Sequence, residues 1–428
     1  MSGDGTPMRW ETALPGSRRA SLLVRPNAIN LLLDGEQPSF TFDPLGRLHG
    51  AFYQGRNYRR SLDNRVLAKW TENIDGAKQR QRRWLDAAEA RALIDVAYGL
   101  AQQTAQASSD APLAVQTAVA SLARWDWATL EADRARFQQI YTPIGILPPD
   151  QYLSLVLQAT HGCSHNACTF CTFYRDVRFR IKSADEFRQH VAAVLDFFGP
   201  AIAMRRSIFL ADANALVAPM PRLREMLQVL GEGGKQVDKE TSRQGGHAET
   251  HRSSFILHRS SLPLFAFIDA FHVERKSVAD WQELAGLGLT RVYIGMESGH
   301  DPLLRWLNKP GGAGDVLDAV TTLKAAGLQA SVIIMLGVGG ARYADGHVRD
   351  TIELLNAMPL GRGDLVYFSD FVDQPDAPYA GLAAAAGIAP LDEAAMRGQE
   401  AAIRAGFVAR DLLHPPQFAR YDIGEFVY

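Results

Sequence analysis

Along residues 1–75, short apolar runs alternate with turn signals. Ala20–Val24, Ile29–Leu33, Ser39–Phe42 and Gly50–Tyr53 are separated by breaks such as Asp43-Pro44-Leu45-Gly46, the pattern of short β-strands. Between residues 84 and 141 the spacing turns helical. Leu85, Ala88, Ala92 and Val96 recur near a helical period, and Ala-rich segments follow, broken near Ser108-Ser109-Asp110. A β-rich region over 1–75 and a helical region over 76–149 together predict an N-terminal α+β accessory domain. Residues 143–150, with Pro148-Pro149, read as a linker.

From Leu153 the rhythm becomes strand, loop, helix. Leu153–Thr160, Ser207–Ala213, Leu264–Phe271, Arg291–Ser298, Ala330–Val338 and Leu365–Val372 are short, nearly continuous apolar runs. Such runs suit strands buried on both faces of a parallel sheet. Between them lie amphipathic helices. Phe187, Val191, Val194, Leu195 and Phe198 form one apolar face, opened by Ser183 and Glu186 at capping-box spacing and closed at Gly199-Pro200. Val316, Val320 and Leu323 mark a second face, stopped by Gly327, and a third helix starts at Ser277. Six β-α units predict a parallel α/β domain over 150–372 with its site at the carboxyl ends of the strands. The polar segment 231–261, with His247, His251 and His258, interrupts it as an insert. Residues 373–428 form a C-terminal tail with one helix near Asp392–Arg404.

Composition narrows the class. Apolar residues make up 47% and charged residues 21% of 428 residues, as in a soluble globular chain. Lys+Arg 45 against Asp+Glu 47 gives a net charge of -2, so no basic excess forces a nucleic-acid or membrane partner. The start lacks a basic n-region and an apolar h-region, and the run near Ser331–Val338 is far too short for a membrane span. The expected location is cytoplasmic.

All three cysteines fall in Gly162-Cys163-Ser164-His165-Asn166-Ala167-Cys168-Thr169-Phe170-Cys171, a C-x4-C-x2-C window directly after the first strand of the α/β domain. An odd number in one short window is no disulfide framework. Soft thiolates suit zinc or an iron–sulfur cluster. Structural zinc wants four closed ligands; His165 could supply the fourth, but no second ligand pair follows at finger-like spacing. Ferredoxins of this x4/x2 spacing need a fourth cysteine, and the chain has none. The remaining reading is a four-iron cluster with three protein thiolates and one open iron, where a substrate or cofactor can bind.

A cysteine triplet on the loop after the first strand of a six-unit β/α domain resembles the radical S-adenosylmethionine (SAM) superfamily. The resemblance runs through most of 150–372. Val292-Tyr293-Ile294-Gly295-Met296-Glu297-Ser298-Gly299, then Asp301-Pro302-Leu303-Leu304 and Asn308-Lys309, are similar to the fourth strand and following helix of many members. Val332–Gly340, with Gly337, Gly339 and Gly340, is similar to the fifth strand and its glycine-rich exit. The commonest superfamily spacing is C-x3-C-x2-C, and the extra residue here resembles a less common subgroup. The resemblance implies an incomplete (β/α)6 TIM-like barrel and a [4Fe–4S] cluster on Cys163, Cys168 and Cys171. It also implies SAM on the open iron, cleaved reductively to a 5′-deoxyadenosyl radical that abstracts a substrate hydrogen. An electron donor such as flavodoxin or ferredoxin and a small-molecule substrate follow from it.

Phe170, between two ligands, would shield the cluster and lie against adenine. Asp212 and Asn214 stand where the superfamily commonly carries a Gly-Gly-Glu-type segment for the SAM amino group; that motif is not matched, and both equally suit a helix cap. Glu297 and Ser298 end an apolar strand, where a carboxylate needs a partner or water; the family placement assigns them to SAM. Met335, Leu336 and Gly337 are candidates for the adenine pocket, with core and turn as the plain reading. Lys276 and Arg275 read as surface charge, and His247 with His251 as a solvated loop. The basic stretch 56–83, with Tyr58, Trp70 and Trp84, suggests an RNA surface, with a solvated or barrel-packing face the favoured reading. The usual cobalamin-domain segment D-x-H-x-x-G is missing and no cysteines remain for auxiliary clusters, so neither is expected. The rival readings are a non-catalytic iron–sulfur or zinc module and a radical SAM enzyme modifying RNA.

Overall fold

The structure is a computed structural model that describes residues 7–34, 38–74, 76–241 and 262–428. The amino-terminal part is an antiparallel sheet of eight strands in sequence order. They are β1 (Met8–Leu14), β2 (Arg18–Arg25), β3 (Ala28–Leu33), β4 (Ser39–Phe42), β5 (Leu48–Tyr53), β6 (Arg56–Arg60), β7 (Val66–Ile74) and β8 (Ala77–Trp84). The β5–β6 hairpin turns on Gln54 and Gly55, both at positive φ, the two-residue turn whose twist suits a hairpin. Strand β8 lies beyond residue 75, in the stretch expected to be helical. Its sequence, Ala-Lys-Gln-Arg-Gln-Arg-Arg-Trp, has no apolar alternation, so only its pairing with β7 reveals it.

Helices α1 (Ala87–Gln106), α2 (Leu113–Ala123) and α3 (Trp127–Ile140) follow. Ile94, Tyr98, Val115 and Leu122 meet Leu22, Phe40 and Phe42 in a core separate from that of the α/β part. The two parts are tied by Arg47, 1% exposed. Its guanidinium donates to Asp43 at 2.7 Å, to Asp133 on α3 at 3.3 Å and to the Phe197 carbonyl at 3.4 Å.

The α/β part follows in order: β9 (Ser154–Gln158), the short pair β10 (Thr160–His161) and β11 (Arg180–Ile181), α4 (Ala184–Phe198), β12 (Ser207–Ala211) and α5 (Met220–Thr241). Then come β13 (Leu264–Ile268), α6 (Val278–Gly286), β14 (Leu289–Glu297), α7 (Asp301–Trp306), α8 (Ala313–Ala325), β15 (Gln329–Leu336), α9 (Gly340–Ala357), β16 (Leu365–Asp370), α10 (Tyr379–Ala385), α11 (Glu393–Gly406) and β17 (Gln417–Arg420). Seven strands form one sheet in the order β17-β16-β15-β14-β13-β12-β9, parallel throughout. Ser183 caps α4 and Ser277 caps α6, each in a reciprocal capping box. Helix α5 runs through Thr241, well into the segment expected as an insert. His247, His251 and His258 lie outside the described residues.

Two departures shape the site. The expected tail contributes β17, four half-exposed residues parallel to β16. The expected linker binds across the amino ends of the strands. The Asp150 carboxylate accepts from Tyr293 at 2.5 Å, Tyr367 at 2.7 Å and Arg291 at 2.9 Å. At the other sheet edge, tyrosines replace a partner strand for β9: the Val156 N–H donates to Tyr428 Oη at 2.9 Å, and Tyr141 Oη donates to the Val156 carbonyl at 2.9 Å. The amino end is thus closed, and the open end is where the strand carboxyl termini meet the cysteine loop.

Candidate functional site

A cavity of about 190 Å³ opens at the carboxyl ends of the strands. Cys163, Cys168 and Cys171 lie on its wall, all half-buried and none in a disulfide. Phe267, Gly295, Glu297, Ile333, Met335, Ser369 and Asp370 line it from β13 to β16, with Asp269 and Lys309 beside them. Phe170, Phe173 and Tyr174 of the cysteine loop complete an apolar rim.

The loop is anchored, which explains how a stretch without regular structure holds three thiols. Gly162 takes φ +73°, and a Cβ there would stand 2.8 Å from the Val177 carbonyl, so only glycine turns the chain off the strand. Beyond it, the Thr169 N–H donates to the Leu307 carbonyl at 2.9 Å, and Asn308 Nδ2 to the Ala167 carbonyl at 2.8 Å. His165 Nε2 bonds the Asn308 carbonyl at 2.8 Å, so the imidazole offered as a fourth zinc ligand is engaged elsewhere. The Asn166 N–H donates to Cys163 Sγ at 3.4 Å.

Beside the thiols sits a buried charge cluster. Glu297 is 7% exposed and takes φ +60°, at a break in register between β14 and β15. Such a bulge re-aims a side chain at a strand end. Its Oε1 accepts from Lys309 Nζ at 3.0 Å, and Asp269 Oδ1 lies 3.9 Å from the same ammonium. Burial alone would lower the Lys309 pKa, but Glu297 and Asp269 outweigh it and hold the ammonium above its ordinary value. Gly295 makes room for the pair: a Cβ there would meet Glu297 Oε1 at 2.6 Å and Lys309 Nζ at 3.2 Å. Burial raises all three thiols, Cys168 to about 12. Asp269 also accepts from Asn214, whose Nδ2 donates to Ser164 Oγ at 2.8 Å and whose Oδ1 accepts from the Asp269 N–H at 2.8 Å.

The residues expected to contact SAM divide. Phe170 and Glu297 line the cavity. Asn214 stands just behind it through Ser164 and Asp269. Asp212 does not line it; its carboxylate accepts from Gln158 Nε2 at 3.2 Å, and burial raises its pKa to about 7 against the pull of Gln158 and Lys182. Ser298 faces away, with Oγ at 2.8 Å from His347 Nδ1. Leu336 is core, and Gly337 at φ +81° packs against α11: its N–H donates to Gln399 at 2.8 Å and a Cβ would strike Met396 Sδ at 2.6 Å. Of the three adenine-pocket candidates Met335 does line the cavity, and Ala213, one residue from Asp212, lines it as well. Alternation along a strand explains the Met335 case, since Met335 and Leu336 point to opposite faces.

Lys309 and Asp269 were missed as site residues. The signal for Asp269 was an acid closing an apolar strand, the same signal read at Glu297. Lys276, expected on the surface, is buried with Nζ donating to the Leu216 carbonyl at 2.7 Å. The basic stretch is largely engaged within the chain. Lys69 pairs with Glu425 at 2.7 Å, Arg82 with Asp422 and Arg83 with Glu89, while Arg56 stacks over Trp70 and Arg65 over Trp84. Among the described residues, no three His, Cys, Asp or Glu side chains converge on a single metal ion, and no helix is long and apolar enough to cross a membrane.

Residues 157–355 match the family described as the Radical SAM superfamily. The chain therefore carries a radical SAM domain, for which the family implies SAM and a [4Fe–4S] cluster. No curated protein matches the chain. Similar solved structures include Elp3 from the archaeon Methanocaldococcus infernus, at 13% identity and TM-score 0.38 over 64% of this chain and 62% of that one. Coproporphyrinogen III oxidase (HemN) from Escherichia coli is similar at 13% identity and TM-score 0.38 over 63% and 53%. The cobalamin-dependent radical enzyme OxsB is similar at 16% and 0.35, over 59% of this chain and 31% of its own length. At these identities and scores the likeness assigns no reaction.

Proposed function

We propose that the chain is a radical SAM enzyme whose α/β part acts as an incomplete (β/α)6-type barrel, with β17 as an added strand. Cys163, Cys168 and Cys171 would hold a [4Fe–4S] cluster, leaving one iron for the amino and carboxylate groups of SAM. The observation that carries this reading is the placing of all three thiols on one wall of the carboxyl-end cavity, beside Glu297 and Lys309. The donor set fits. Three irons of a cubane take one thiolate each, so the sulfurs need not converge on a point, whereas a tetrahedral zinc site requires that they do.

When bound, the cluster and SAM supply one-electron cleavage to a 5′-deoxyadenosyl radical, and the cofactor pair carries the difficult chemistry. The chain supplies position and exclusion. Phe170, Phe173 and Tyr174 keep water from the thiol wall. Lys309 Nζ holds Glu297 at 3.0 Å and lies 3.9 Å from Asp269, setting two carboxylates at the cavity wall where they can accept hydrogen bonds from SAM's amino or ribose groups. Asn214 fixes the Asp269 carboxylate by a reciprocal pair of hydrogen bonds. The substrate is a small molecule with an apolar body, since aromatic and aliphatic side chains dominate the cavity.

Anaerobic reconstitution with iron, sulfide, SAM and dithionite tests the activity. The expected product is 5′-deoxyadenosine with methionine, lost in Cys168→Ala. A reconstituted protein that forms neither product would remove the reading.

A further inference from the structure

A second cavity, of about 30 Å³, lies between the N-terminal sheet and the α/β part. Arg47, His49, Arg59 and Arg60 line it from one side; Arg205 and Tyr428 line it from the other. We propose that this pocket is a binding site for one small inorganic anion, a halide ion, that joins the two parts of the molecule.

The charges require it. Among the described residues, four guanidiniums line the void and Asp43 is the one acidic side chain on its wall. Asp43 and Asp133 are both taken by Arg47. Among the described residues, Arg60 has only neutral hydrogen-bond partners: the carbonyls of Leu48 at 2.6 Å and Ser61 at 3.0 Å, and Asn64 Oδ1 at 2.6 Å. Arg205 donates to the Ser154 carbonyl at 3.2 Å and stacks on Phe198 and Tyr428. Arg59 bonds the ring of His49, which burial, Arg59, Arg205 and Arg60 hold neutral. Arg59 itself is depressed by burial and by Arg205. Buried cations without a counter-charge are costly; Arg60 is buried and Arg59 and Arg205 are partly so, and among the described residues no carboxylate side chain forms an ion pair with any of the three.

Two donors also lack partners. Arg47 Nη2, on a side chain 1% exposed, and Arg205 Nε are buried and make no hydrogen bond among the described residues. Buried donors in native proteins nearly always have a partner. The void exceeds the roughly 10–15 Å³ that one water needs but is too small for an organic acid. Water would satisfy the N–H groups and leave the charge uncompensated, whereas a monatomic anion satisfies both.

Thermal unfolding of the full chain in sodium chloride and in sodium gluconate at equal ionic strength tests the site, since gluconate cannot enter. The expected midpoint is lower in gluconate by about 2 °C or more, and Arg59→Gln should erase the difference. Crystals of the wild-type protein soaked in bromide keep the test independent of that variant's folding: an anomalous peak between Arg47, Arg59 and Arg205 is expected. Equal midpoints in the two salts, or a pocket holding water and no bromide, would overturn the proposal.

Discussion

Removing the ammonium of Lys309 leaves Glu297 buried with no counter-charge beside three thiols. Breaking a buried ion pair on one side costs about 3–5 kcal/mol, while removing both partners is far milder. Lys309→Met should therefore destabilise the protein by about that amount in urea, and Lys309→Met with Glu297→Gln should recover most of it; additive losses would show that the two do not act as a pair. Asp212 gives a pH signature. Its folded pKa, raised to about 7 mainly by burial, exceeds the ordinary carboxylate value. Between about pH 4 and 7 the folded state holds a proton that the unfolded state has released, so stability falls as pH rises through that window. Asp212→Asn should flatten the curve there, as read by urea midpoints at stepped pH. An unchanged slope would place the carboxyl in a wetter setting. At this scale the sequence spoke through residue type. Cysteines in one window and an acid at the end of an apolar strand announced chemistry, but Asp269 and Lys309 join only through a fold that brings β13 and the segment after α7 together.

At the scale of elements, hydrophobic rhythm and caps were legible wherever burial is two-sided. The apolar runs that became β9, β12 and β13 to β16 mark strands with interior on both faces, and Ser183 with Glu186 marks the start of α4. Ser183→Ala removes the cap of α4 and should cost about 1 kcal/mol in chemical denaturation; no loss would mean that packing of Phe187 and Val194 alone sets the helix start. Strands β8 and β17 escaped the same reading for one reason. Each is polar or half-exposed and lies at a sheet edge, so pairing rather than burial defines it. The glycines at 162 and 295 were visible as letters, but their reasons, a carbonyl at 2.8 Å and an ion pair in the way, belong to tertiary structure.

Over the whole molecule, two hydrophobic cores meet across a polar seam of Arg47, Asp133 and the small arginine-lined pocket. The amino end of the parallel sheet is tied by Asp150 and the carboxyl end carries the cavity. That polarity puts the thiols where an α/β sheet binds its ligands. The order of elements made this legible, while the pairing of the basic stretch with Asp422 and Glu425 depends on a carboxyl-terminal segment far away in sequence. The central claim, a cluster with one iron free for SAM, is tested most directly by electron paramagnetic resonance of the anaerobically reconstituted, dithionite-reduced protein. With about four irons per chain, addition of SAM should shift the signal of the reduced cluster. A signal indifferent to SAM, or a protein that instead retains one zinc and shows no visible absorption, would contradict it.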